Sequence, residues 1–148
     1  MIAFISGHTD SPEVLEPEFQ EHYVPKLDKA IENNDCFVTA AAYGIDRLAI
    51  QYLLDNGVSP SQISIYLHEK YADRKAEYQA KGFVVKGPFA SHSDRDAQMT
   101  KDSDYDIAWV RSDDEAKAIY GDEWKKGDIC ATEKNIRRRI LIYNKQEQ

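Results

Sequence analysis

Short apolar runs of strand length alternate along this chain with segments whose apolar residues recur at helical spacing, and that alternation leaves few folds open. Ile2 to Ser6 is a strand-like run closed by Ser6-Gly7 and followed by the small polar loop Gly7-His8-Thr9-Asp10-Ser11-Pro12. Phe19, Tyr23, Leu27, Ala30 and Ile31 then repeat at close to helical spacing, with Pro25 placing the start of the regular helix near Val24. Cys36 to Ala42 reads as a second buried strand. Gly44 follows it, and Ile45, Leu48, Ala49, Tyr52 and Leu53 make an amphipathic helix that stops at Asn56-Gly57. Ile63 to Leu67 and Gly82 to Lys86 are strands three and four, separated by a charged, solvent-facing segment. Residues 92 to 102 read as helix and Tyr105 to Val110 as strand five. Residues 112 to 128 form an acidic surface excursion, and Thr132 to Asn144 a closing helix that carries Arg137, Arg138 and Arg139.

Strands that alternate with helices at this spacing need crossover connections, so the expected architecture is a Rossmann-like α/β fold. It is an open, mostly parallel sheet of about five strands with helices on both faces. At 148 residues, with no repeat or linker, the whole chain reads as one domain.

Charge and cysteine usage narrow the partners. The chain has 19 Lys and Arg against 26 Asp and Glu, a net charge of -7, so duplex nucleic acid and anionic membranes are not expected partners. No apolar run reaches the ~20 residues of a membrane span and no basic segment precedes Ile2. A cytoplasmic location is expected. Cys36 and Cys130 form no metal or disulfide-framework spacing and are read as reduced, buried thiols.

In an open parallel sheet, ligands sit beyond the carboxyl ends of the strands. Three loops would lie there: Gly7 to Asp10, Ala41 to Asp46, and Arg111 to Asn135. Small residues let backbone amides approach a ligand, and a helix N-terminus favours an anion. A phosphate or nucleotide site is the natural reading, and a simple tight turn at Gly44 is the alternative. The seven glycines make neither a dinucleotide fingerprint nor a P-loop, and the four histidines show no zinc spacing. No metal or cofactor is called for. Arg95, in the first turn of its helix, is placed to fork onto a phosphate or, alternatively, to pair with a neighbouring Asp. Arg111, at the end of strand five, is a second candidate anion contact. Tyr43 and Trp109 are candidate stacking residues, with core packing the alternative for Trp109.

The stretch His92-Ser93-Asp94-Arg95-Asp96-Ala97-Gln98-Met99, continuing to Ser103-Asp104, resembles the signature before the fifth strand of Lonely Guy-type phosphoribohydrolases. Thr39 to Ala49, with Gly44-Ile45-Asp46 at its centre, is similar to the Gly-x-Asp turn of Smf-like proteins. Both belong to the Rossmann-like nucleotide-binding superfamily called SLOG, and the resemblance covers roughly residues 2 to 110 and 131 to 140. It implies a ligand phosphate on Arg95. It also implies a pocket lined by Gly7, His8, Thr9, Ala41, Tyr43, Gly44 and Asp46, and oligomers formed through helices. The family's glycine- and glutamate-bearing phosphate loop has its nearest match in Ala131-Thr132-Glu133-Lys134-Asn135. Thr132 and Asn135 then fall at ligand-binding positions. Asn135 stands where the family has its glutamate, and Asp96 where it has lysine. Glu133 or Asp10 would have to supply the catalytic carboxylate.

The leading expectation is binding of a phosphorylated nucleoside or nucleotide derivative at the carboxyl edge of the sheet, as sensor or carrier. An N-glycosidase that cleaves base from ribose phosphate, using Glu133 or Asp10, is the alternative. A non-catalytic protein-interaction module, suggested by the acidic segment from Asp113 to Glu123, is the third.

Overall fold

A computed structural model describes residues 1–125, 127 and 129–146 of the chain. Five strands, β1 (Ile2–Ile5), β2 (Cys36–Thr39), β3 (Ile63–His68), β4 (Val84–Phe89) and β5 (Tyr105–Ile107), form one sheet in the order β4-β3-β2-β1-β5. Every pairing is parallel. The register sets Phe4 beside Val38 on one side and beside Asp106 on the other. From β1 the chain winds outward through β2 and β3 to β4, then returns to place β5 on the free side of β1. The strand order therefore reverses between β1 and β5.

Alternation along the strands sorts two cores. Ala3, Ile5, Phe37, Ile63, Ile65 and Ile107 point to the larger one, with Leu15, Phe19, Tyr23, Leu27, Ile45, Ala49 and Leu53 packed over them. These come from α1 (Pro12–His22), α2 (Val24–Glu32) and α3 (Ile45–Asp55). Phe4, Val38 and Tyr66 face the other way and meet Met99, which lies on α5 (His92–Asp102). The final helix, α7 (Ala131–Gln146), is tied to that side by Arg139, which donates to Asp106 at 2.8 Å and to the Ser103 hydroxyl at 2.6 Å. The expected α/β sheet with helices on both faces is thus the observed fold.

Several boundaries differ from the sequence reading, each for a local reason. β2 stops at Thr39 rather than Ala42 because Ala41 turns to φ +53° and its N–H donates to the Thr39 hydroxyl. β5 stops at Ile107 rather than Val110 because side chains replace the ladder: Lys26 donates to the Ala108 carbonyl and the Trp109 N–H donates to the Tyr23 hydroxyl. A helix already runs over Pro12–His22, broken at Tyr23 before α2. The charged segment after β3 folds as a 3-10 stretch, Glu69–Arg74, and α4 (Lys75–Ala80). The acidic excursion contains α6 (Asp113–Tyr120), started by a reciprocal cap between Ser112 and Glu115. Residues 126 and 128 of that excursion lie outside the described residues. Cys36 is exposed at the start of β2 and Cys130 is half-buried, so the buried-thiol reading is corrected for both. No helix among the described residues is long and apolar enough to cross a membrane.

Candidate functional site

The reversal of strand order opens a cleft at the carboxyl ends of β1 and β5, where such sheets hold ligands. It encloses about 450 Å³, with His8 from the loop after β1, Val110 and Arg111 from the segment after β5, and Tyr120 and Trp124 from the excursion. Cys130 and Glu133, at the start of α7, close the far wall. The excursion stays largely exposed, as expected, and contributes Tyr120 and Trp124 to this rim.

Arg111 organises this region. Its side chain is 3% exposed and forms a bidentate pair with Glu18 of α1, Nε to Oε1 at 2.7 Å and Nη2 to Oε2 at 3.2 Å. Nη1 reaches Asp10 Oδ2 at 2.8 Å and the Tyr120 hydroxyl at 2.8 Å. Two carboxylates hold the guanidinium more firmly protonated than an ordinary arginine. Arg111 is thus the clasp that ties the β1 loop, α1 and α6 together, and its charge is already more than balanced. Asp10, committed to the same clasp, is not a free carboxylate.

His8 sits beside that clasp. Burial and the neighbouring Arg111 charge push its pKa below the usual histidine value. Its Nε2 is buried and unpartnered, as are Ser6 Oγ and Trp109 Nε1, among the described residues. All three belong to the segments that follow β1 and β5. Buried polar atoms are nearly always hydrogen-bonded, and of these three residues His8 is the one that lines the cleft.

The other expected residues divide into those that shape the rim and those held elsewhere. Gly7 is glycine for packing: a Cβ there would lie 2.4 Å from Ile45 Cγ2. Gly44 adopts φ +104°, and its missing Cβ would lie 2.5 Å from the His8 carbonyl and 2.8 Å from Thr9 Cα. That close approach lets the Ile45 N–H donate to the His8 carbonyl at 3.1 Å, which locks the β1 loop against α3. Ala41 and Tyr43 lie in the turn before α3, Ala41 buried and Tyr43 57% exposed with Arg47 above its ring. On α7, Glu133 lines the cleft and pairs with Arg137 at 3.2 Å. Thr132 and Asn135 are both buried, and Asn135 accepts from Arg138 at 2.5 Å.

Arg95 lies apart from the cleft. Its guanidinium donates to the adjacent Asp96 carboxylate, Nε at 3.0 Å and Nη2 at 3.0 Å, and both side chains are nearly buried. The neighbouring-Asp alternative is the one observed. The pair lies within electrostatic reach of Asp46, at the first turn of α3, which accepts from the Ala42 N–H at 3.2 Å. Sequence motifs therefore mark one part of the rim, and the cleft occupies another.

No protein-family model matches this chain, and no curated protein or solved structure matches it.

Asp46 gives the site a measurable pH signature. Burial raises its pKa from 3.8 to about 7, against the hydrogen bonds from Ala42 and Thr39 and the Arg95 charge. Between about pH 4 and pH 7 the folded state keeps a proton that the unfolded chain releases, so this carboxyl lowers stability as pH rises through that window. His8 acts with the opposite sign near its ordinary value of 6.5, because its lowered pKa leaves the folded state with fewer protons. Asp46→Asn keeps an acceptor for Ala42 and removes only the first contribution. Its stability relative to the parent protein is expected to rise from pH 4 to pH 8 in urea unfolding. A difference independent of pH would contradict the assignment.

Glu18, Tyr120 and Trp124 were not among the residues that the sequence singled out. Glu18 reads only as one polar position of a helix, and nothing local connects it to Arg111.

Proposed function

We propose that the protein binds a nucleotide derivative of low charge in the cleft between the β1 loop and the excursion. The observation that carries this reading is the buried His8 Nε2, unpartnered among the described residues, on the wall of the cleft at the switch in strand order. That nitrogen is an atom a ligand polar group could meet. The Tyr120 and Trp124 rings supply flat apolar surface of the kind a nucleobase stacks on, and Glu133 offers an acceptor for sugar hydroxyls. Amides in the first turn of α7, beside Cys130 and Glu133, supply an anion-favouring element of the wall. Asp113, Glu123 and Glu133 line the same cleft, and Arg111 is already neutralised. A single phosphate or a diester suits that balance better than a triphosphate. The resemblance to the SLOG superfamily over the strand-one loop and the Gly44 turn supports the same class, with the protein acting as sensor or carrier.

Thermal shift against adenosine, AMP, NAD, ADP-ribose and ATP tests the reading. AMP, NAD or ADP-ribose at one hundred times its Kd is expected to add about 2.7 kcal/mol to the unfolding free energy. Trp124→Ala is expected to weaken that ligand by about tenfold, in the range of a base-stacking contact. No stabilisation by any of the five would overturn the proposal.

A second reading, N-glycosidic cleavage, is favoured by one observation. Glu133 lines the cleft with its side chain 31% exposed and one of its oxygens, Oε1, paired with the exposed Arg137. Chromatographic release of free base from the bound nucleotide, lost in Glu133→Gln with binding retained, is its expected result; no release from any ligand that binds leaves the sensor or carrier role.

A further inference from the structure

Away from the cleft, two helix faces of this acidic protein frame a groove with a surplus of positive charge. Arg47, Ile50, Gln51 and Leu54 of α3 stand at i, i+3, i+4 and i+7, one continuous face. Arg74, Glu77, Tyr78 and Lys81 repeat the same spacing along α4 and its flanks. Both helices start at the carboxyl rim of the sheet, so Arg47 and Arg74 lie at one end of the trough and Leu54 and Lys81 at the other. The trough spans about 450 Å³, and seven residues of rise make it about 10 Å long. Ile50, Leu54 and Tyr78 are only half-buried and give it an apolar floor with Phe83.

The arginines decide what this groove takes. Arg95, Arg111, Arg137 and Arg139 are each paired with a carboxylate, and Arg138 is bonded to Asn135 and Ser93. Among the described residues, Arg47 and Arg74 make no such pair: Arg47 Nε donates to the Ala41 carbonyl and Arg74 covers the Tyr71 ring at 4.6 Å. In a chain with 26 acidic residues against 19 basic ones, two guanidinium groups without a carboxylate at the same end of one apolar trough define a complementary partner.

We propose that the trough between α3 and α4 docks an acidic amphipathic helical segment of a partner protein. Its apolar face seats on Ile50, Leu54 and Tyr78, and its carboxylates meet Arg47 and Arg74. Parallel ridges of side chains at helical spacing favour a helix laid between them, the helix-in-groove mode of recognition. The guanidinium groups keep enough donors free for bidentate carboxylate contacts.

Fluorescence anisotropy with a labelled amphipathic peptide of Leu and Glu tests this, beside a counterpart carrying Lys for Glu. The Leu–Glu peptide is expected to bind and the Leu–Lys peptide is not. Arg74→Glu, which disturbs no backbone contact, is expected to weaken binding by about tenfold or more with its unfolding midpoint unchanged, and the double variant Arg47→Ala with Arg74→Ala is expected to weaken it at least as much. If Arg47→Ala fails to fold, Arg74→Glu alone carries the test. Equal affinity for both peptides, no binding, or insensitivity to Arg74→Glu would sink the proposal. Octanoate competing as strongly as the peptide would assign a small amphipathic anion instead, and self-association abolished by Arg74→Glu would assign a second copy; either result overturns a partner helix.

Discussion

Arg111→Ala is expected to cost about 3–5 kcal/mol of unfolding free energy, the range for removing one member of a buried ion cluster. The substitution leaves Glu18, whose side chain is 9% exposed, and Asp10, at 17%, facing each other without a counter-charge. A typical domain has only about 5–15 kcal/mol in total, so much of the fold's margin is at stake. Removing the whole cluster is a different experiment. Arg111→Met with Glu18→Leu and Asp10→Asn leaves no uncompensated charge and is expected to recover most of the loss. Urea unfolding reads both, and a cost below about 1 kcal/mol for Arg111→Ala would refute the clasp. Tyr120 also loses its 2.8 Å donor in Arg111→Ala, so amides of α6 are expected to exchange faster than those of α3.

The second large effect is expected at Gly44. Alanine there must hold φ +104° with its Cβ 2.5 Å from the His8 carbonyl and 2.8 Å from Thr9 Cα. Positive φ costs a non-glycine residue about 1–2 kcal/mol, and overpacking adds about 1–3. Gly44→Ala is therefore expected to destabilise by about 2–5 kcal/mol. Gly57→Ala is its control, since Gly57 has φ +86° with nothing within 4 Å of the added Cβ. Only the conformational part remains there, so its midpoint in urea is expected to move much less. Equal effects at the two glycines would mean that the close approach of the β1 loop to α3 is not what Gly44 serves. The clash acts on the loop that carries His8, so Gly44→Ala is also expected to weaken any ligand of the cleft.

The resemblance pointed to Arg95, and the structure shows why that residue is ambiguous as a ligand contact. Its guanidinium is matched by the residue next to it, Asp96, a pairing that the sequence allowed as the alternative. A free acidic neighbour and a structural ion pair look identical along the chain. Arg111 shows the same limit from the other side. Its position after strand five suggested an anion contact, yet its two carboxylates come from Asp10 and from Glu18, 93 residues away. Glu133, which the resemblance offered as a catalytic carboxylate through the Ala131–Asn135 match, lines the cleft wall.

What the residues alone determined is the layered architecture. An unbroken apolar run such as Ala3, Phe4 and Ile5, or apolar residues at Ile63, Ile65 and Leu67, has one low-energy use, a strand covered by helices, and that preference acts over neighbours in sequence. The parallel pairing followed, because each strand is separated from the next by enough chain to cross over. What only the tertiary structure decided is which charges meet. Electrostatic partners at the Arg111 clasp, the unpartnered polar atoms at the β1 and β5 ends, and the arginines left without carboxylates at the α3–α4 trough depend on distances set by packing. Coulomb attraction and desolvation respond to separations of a few ångströms, and no spacing along the chain encodes those.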